Sequence, residues 1–132
     1  MKSYILKTIK ILICVTLCPM FYSCEYFFGT TMHHGLVRNE SEDTIYLYNT
    51  DHISRLYDLP YQLEMDYLDT LAPGESSSLY AEKDCAPQYL YIWKKETIRN
   101  YSLETIQKDN IYDKLFVYDF DILGDDGVYI YK

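Results

Sequence analysis

Apolar and polar positions alternate in short runs along most of this chain, and turn-forming residues separate the runs at brief intervals. Thr44–Thr50 (TIYLYNT) is β-branched and aromatic and predicts a strand. Tyr67–Leu71, Ser76–Ala81 and Tyr89–Lys94 predict three more, the last being the strongest, and Leu36–Arg38 a short extended piece. Leu115–Ile122 and Val128–Tyr131 read as a final hairpin around Gly124–Gly127. Asn39–Asp43, Ala72-Pro73-Gly74 and Lys83–Pro87 supply the other turns, and Asp51–Tyr61 reads as irregular. The one helical signature is Lys95–Asn110, where Ser102 can cap, Leu103 and Ile106 share a side, and Asp109-Asn110 end the segment. The pattern predicts an all-β fold, mainly a small sandwich of six to seven strands with one short helix.

Alternation also assigns faces, because residues two apart in a strand point the same way. Ile45 and Leu47 oppose Tyr46 and Tyr48; Leu90 and Ile92 oppose Tyr89, Tyr91 and Trp93; Val128 and Ile130 oppose Tyr129 and Tyr131. The aliphatic set is expected to fill the core. The aromatic set (Tyr46, Tyr48, Tyr89, Tyr91, Trp93, Tyr129 and Tyr131) is then a candidate binding face for sugar rings or a partner peptide. The structural alternative is that tyrosine covers a sheet with apolar area while its hydroxyl stays wet.

Residues 1–23 carry the parts of an export signal. Lys2, Lys7 and Lys10 precede an apolar run, Ile11–Phe21, that is too short to span a bilayer. Phe21-Tyr22-Ser23-Cys24 follows, with a small residue before a cysteine, as in a loose bacterial lipobox. Cys24 is therefore the expected lipidation site, followed by a tether over 24–35 and a sandwich domain over 36–132. The expectation is a lipid-anchored cell-envelope protein, at the outer membrane, because two acyl chains hold a protein durably where one does not.

Composition sharpens this. The 132 residues include 12 Lys+Arg, 20 Asp+Glu and 16 Tyr, for a net charge of −8. Removing residues 1–23 takes away three lysines and no acid, leaving 9 basic residues against 20 acidic ones, a charge of −11. Such a balance opposes nucleic-acid binding, which needs a basic surface. Of four cysteines only Cys24 and Cys85 would remain, so no disulfide framework is expected once Cys24 is acylated.

Two stretches resemble small envelope lipoproteins widespread in Bacteroidales-type anaerobes. One is Val37–Tyr46, an Asn-x-Ser turn followed by Asp-Thr-Ile-Tyr. The other joins Leu90–Trp93, Glu96–Ile98, Tyr101–Ile106, Ile111–Lys114 and Tyr118–Phe120. Leu71-Ala-Pro-Gly-Glu75 is similar to the Pro-Gly turn of Ig-like lipoproteins. The resemblance implies an Ig-like sandwich with a short helical insertion and an envelope location, and it brings no catalytic motif. The chain departs from that pattern at Ile122–Gly127, where a shorter hairpin is expected in place of a second acidic helical turn. Asp43-Thr44-Ile45 and Asp69-Thr70-Leu71 also look like the Asp-Thr-apolar O-glycosylation site of such bacteria, with Thr44 and Thr70 as acceptors.

Catalytic and metal chemistry find weak footing. Cys85 as a nucleophile would need His33, His34 or His52 as base, and nothing beside it is expected to lower a thiol pKa. His33-His34 lacks a partner at zinc spacing and reads as an exposed pair by the tether. Asp119, Asp121, Asp125 and Asp126 lack the spacing and closing Glu of a calcium loop. No Gly-rich phosphate loop, Gly-x-Ser-x-Gly or His-Glu-x-x-His is present. The expectation is a non-enzymatic binding or adhesion module without cofactor or metal. Its partners would be a membrane through the anchor and a glycan, peptide or protein. The alternative is an inhibitor or structural accessory acting through a loop in Asp51–Asp66.

Overall fold

The computed structural model describes residues 31–51 and 53–132, so the signal segment, Cys24 and His52 lie outside the described residues. Seven strands form two sheets: β1 (Met32–Asn39), β2 (Ile45–Asp51), β3 (Asp69–Leu71), β4 (Ser76–Glu82), β5 (Gln88–Lys94), β6 (Lys114–Tyr118) and β7 (Gly127–Tyr131). One sheet has the order β4-β1-β7 and the other β3-β2-β5-β6. The architecture is a small, mostly β sandwich. β1 already includes residues 32–35, which the sequence reading gave to the tether.

Between the sheets lie Val37, Ile45, Leu47, Leu79, Leu90, Ile92, Tyr118, Leu123 and Tyr131, all buried. A fully buried side chain of this size contributes about 1.5–3 kcal/mol of burial free energy. The Asn-x-Ser turn is pinned by Asn39, whose Oδ1 accepts from the Ser41 N–H at 3.0 Å.

Three short helices are present where one was expected: α1 (Lys95–Asn100), α2 (Leu103–Asp109) and α3 (Phe120–Leu123), with 3₁₀ turns at Leu56–Asp58 and Met65–Tyr67. Ser102 caps α2, accepting the Thr105 N–H at 3.2 Å, and Asn110 ends it in the left-handed conformation at φ 53°. The predicted strand Leu115–Ile122 stops at Tyr118 because Asp119 caps α3, taking the Ile122 N–H on its Oδ1 at 2.8 Å.

The predicted β6–β7 hairpin is not formed. β6 pairs antiparallel with β5, whereas β7 crosses to the other sheet and pairs parallel with β1. Helix α3 makes this crossing, and two glycines let it approach. A Cβ on Gly35 would lie 2.5 Å from Leu123 Cδ1, and one on Gly127 would lie 2.0 Å from the Leu123 carbonyl oxygen.

Candidate functional site

The expected aromatic face exists on β2 and β5, but it is covered. Tyr48, Tyr91 and Trp93 are buried, and Tyr46 and Tyr89 are half-buried. The cover comes from the segment read as irregular. Leu56, Leu59, Leu63 and Leu68 descend from residues 53–68 onto the sheet, and Ile106 joins them from α2. Trp93 donates its indole N–H to the Ile111 carbonyl at 2.6 Å, and the Tyr48 and Tyr61 hydroxyls are hydrogen-bonded. Burial raises the Tyr91 hydroxyl to about pH 12 and is also the main cause that raises Tyr48, with the Tyr61 hydroxyl adding to it. These five residues therefore form a second core and not an open binding face.

Tyr129 and Tyr131 also leave the candidate set, for a different reason. The parallel register sets Val37 beside Tyr129 and Asn39 beside Tyr131, which turns both tyrosines inward with Val37. Tyr131 is buried, and the ring of half-buried Tyr129 stacks on Phe116 with centroids 4.0 Å apart. The assignment of Val128 and Ile130 to the core is thereby reversed; they are 54% and 41% exposed.

This reversal leaves an open apolar surface on the sandwich, the outer face of sheet β4-β1-β7. Register places Tyr80 beside His34, Ser78 beside Leu36, and Ser76 beside Arg38. On the other side Leu36 adjoins Val128 and Arg38 adjoins Ile130. Leu36, Tyr80, Val128 and Ile130 are all exposed here. Around Leu36 and Val128 lies a shallow cavity of about 380 Å³ bounded by His34, Gly35, Ser78 and Asp126. The charges around this face are mixed: Arg38 pairs with Glu40 at 3.8 Å, Glu82 stands opposite Met32 at one end, and Asp126 borders the cavity beside His34. Alternation held the signal for this face, but the choice of inward side depended on pairing with β1.

The other sites considered from sequence separate. Cys85 is exposed and its Sγ lies 3.4 Å from Glu82 Oε2. That carboxylate raises the thiol pKa, the reverse of what a nucleophile needs. His33 is half-buried rather than exposed. Its Nδ1 meets the Phe120 carbonyl at 2.8 Å, its Nε2 meets Asp125 at 3.1 Å, and its ring stacks on Phe120. Both ring nitrogens are thus engaged by protein oxygens, and only His34 is exposed. Among the described residues no three His, Cys, Asp or Glu side chains gather as a metal set.

Thr70 is exposed on the edge strand β3, and Thr44 is half-buried with its carbonyl accepting the Lys95 N–H at 3.2 Å. An open polar cleft of about 420 Å³ lies among Asp43, Lys94, Lys95, Glu96, Arg99 and Asn100, with cations slightly in excess. It offers neither a dry wall nor a nucleophile–base pair. Comparison with protein-family models, with curated proteins and with solved structures finds no match.

Proposed function

We propose that the chain is a non-catalytic, lipid-anchored binding module of the cell envelope that docks a protein through the outer face of sheet β4-β1-β7. The observation that carries this is the set of exposed apolar residues Tyr80, Leu36, Val128 and Ile130, spread over neighbouring rows of a sheet whose other face is a packed core. Its rim is polar and mixed in charge, with Arg38 and His34 beside Glu40, Glu82 and Asp126, so it fits a partner with an apolar centre and a polar rim of both signs. A glycan fits less well, because Tyr80 is the one aromatic side chain exposed on these rows.

The anchor would be Cys24, and the acidic domain would then stand off an anionic bilayer. The test is capture from the native envelope by the full chain, run beside its Leu36→Asp and Tyr61→Ala variants. The reading expects the same bound protein with wild type and Tyr61→Ala, and its loss with Leu36→Asp. Retention by Leu36→Asp overturns it.

A second reading rests on residues 53–68. This ordered cap exposes Tyr57, Tyr61, Met65 and Tyr67, with Tyr61 and Tyr67 in edge contact at 5.6 Å. Exposed tyrosines on a fixed scaffold suit an inhibitor-like contact. In the same capture, loss with Tyr61→Ala and retention with Leu36→Asp would support this loop.

A further inference from the structure

β7 is the outermost strand of its sheet, and no strand among the described residues pairs with its far edge. Tyr131 turns its carbonyl toward β1, where it accepts the Glu40 N–H at 2.8 Å. Backbone groups alternate sides along a strand, so Gly127, Tyr129 and Tyr131 address β1 while Val128 and Ile130 address the open edge. Each of these two aliphatic residues therefore offers an unshared N–H and carbonyl. Gly127–Tyr131 contains no Lys, Asp, Glu or Pro, the residues by which edge strands usually refuse a neighbour.

We propose that this edge pairs antiparallel with the β7 edge of a second copy, across a two-fold axis at Tyr129. A two-fold interface must be complementary to itself, and this register is. Val128 falls opposite Ile130 in both halves, so the residues with free outward groups exchange N–H···O bonds. Tyr129 faces its counterpart as a non-hydrogen-bonded pair. On the outer face the Val128 and Ile130 side chains, both exposed in one copy, cover each other across the join.

The strand ends agree with this register. The edge begins at Asp125 and Asp126 and ends at Lys132, with Lys114 Nζ 5.8 Å and 5.9 Å above the rings of Tyr129 and Tyr131. Centring on Tyr129 sets Asp126 opposite Lys132. Sliding the strands by two residues would set Asp126 against Ile130, or Lys132 against Val128. Copies of charge −8 repel at distance, but salt screens that beyond about 8 Å, and the Asp126–Lys132 contacts are local. The pairing would double the three-stranded sheet and its open face.

The test is sedimentation of the full chain over a range of concentrations. The wild type is expected to form a dimer. Ile130→Pro should weaken it by about tenfold or more, because proline removes an edge-facing N–H in both copies. That N–H does not serve β1, so the variant keeps its fold, which circular dichroism can follow. As a second variant pair, Asp126→Lys and Lys132→Asp should each weaken the dimer, and their combination should restore it. Leu36→Asp, on the middle strand, should leave the dimer intact, which separates this result from the docking face. A monomer at every concentration overturns the proposal, and so does a dimer indifferent to Ile130→Pro and to the charge exchanges.

Discussion

Asn39 on β1 donates its side-chain N–H to the carbonyl of Leu71 on β3 at 3.0 Å, and this buried bond ties the two sheets together. The same amide reaches Asp43 O at 2.8 Å, and its oxygen takes the Ser41 N–H and hydroxyl. The backbone of Asn39 is held as well, donating to Glu75 O and accepting from Gly74 N. The Asn-x-Ser turn and the Pro-Gly turn therefore close on one residue, the first through its side chain and the second through its backbone and the Leu71 bond.

Asn39→Ala would strand the buried Leu71 carbonyl, at about 1–3 kcal/mol, and would also remove the bonds to Asp43 and Ser41, at about 1 kcal/mol each. A loss of about 3 kcal/mol or more in urea unfolding is expected. A loss below about 1 kcal/mol would mean that the turns hold without it.

Tyr91 and Tyr118 are both buried, yet their hydroxyls differ. The Tyr91 hydroxyl has no partner among the described residues, while Tyr118 accepts the Asn49 side-chain N–H at 2.7 Å. Tyr91→Phe should be neutral or stabilising by up to about 1 kcal/mol, because it removes a buried polar group that forms no bond. Tyr118→Phe should cost about 1–3 kcal/mol by stranding Asn49. Thermal unfolding of the two variants side by side checks the contrast.

Alternation showed which residues of a strand share a face, and in β2 and β5 it also placed the aliphatic side inward. It failed for β7 because inward and outward there follow from parallel pairing with β1, a long-range fact that five residues do not encode. The covered aromatic face was partly legible. Leu56, Leu59, Leu63 and Leu68 recur through a polar stretch, and residues so placed need something apolar to rest on. The α3 turn had local signals in Asp119 and Gly124, which the Phe-Asp-Phe-Asp-Ile alternation obscured. The capped helix at Ser102 and the strong strand Tyr89–Lys94 were read directly, since both rest on neighbours in sequence.

Burial raises the pKa of Tyr91 and Tyr118 to about 12, and it also raises that of Tyr131. An unfolded tyrosine ionises near pH 10, so the folded state holds these protons more tightly than the unfolded state does. Their contribution to stability is fully present below about pH 10 and is lost as pH rises through about 12. Ultraviolet titration should show Tyr91, Tyr118 and Tyr131 ionising last, together with unfolding. A single transition of all tyrosines with the fold retained would contradict this.

Gly127 allows the α3 crossing that carries β7 into its sheet. Gly127→Ala would drive a Cβ into the Leu123 carbonyl, where backbone has little room to yield. A destabilisation of about 2–3 kcal/mol is expected, in the range of overpacking costs. Gly74→Ala is the control for a turn position with open space around it but a strained φ of 84°. It should cost about 1–2 kcal/mol through backbone conformation alone.

Docking at the outer face of sheet β4-β1-β7 is tested most directly by placing a photo-activated cross-linker at Leu36 of the full chain in the native envelope. The same linker at Tyr101, exposed beyond α1, serves as the comparison. The account predicts one heteromeric protein adduct from Leu36, weakened by Arg38→Glu, and none of that adduct from Tyr101. Equal adducts from both positions, or no heteromeric adduct from Leu36, would contradict it.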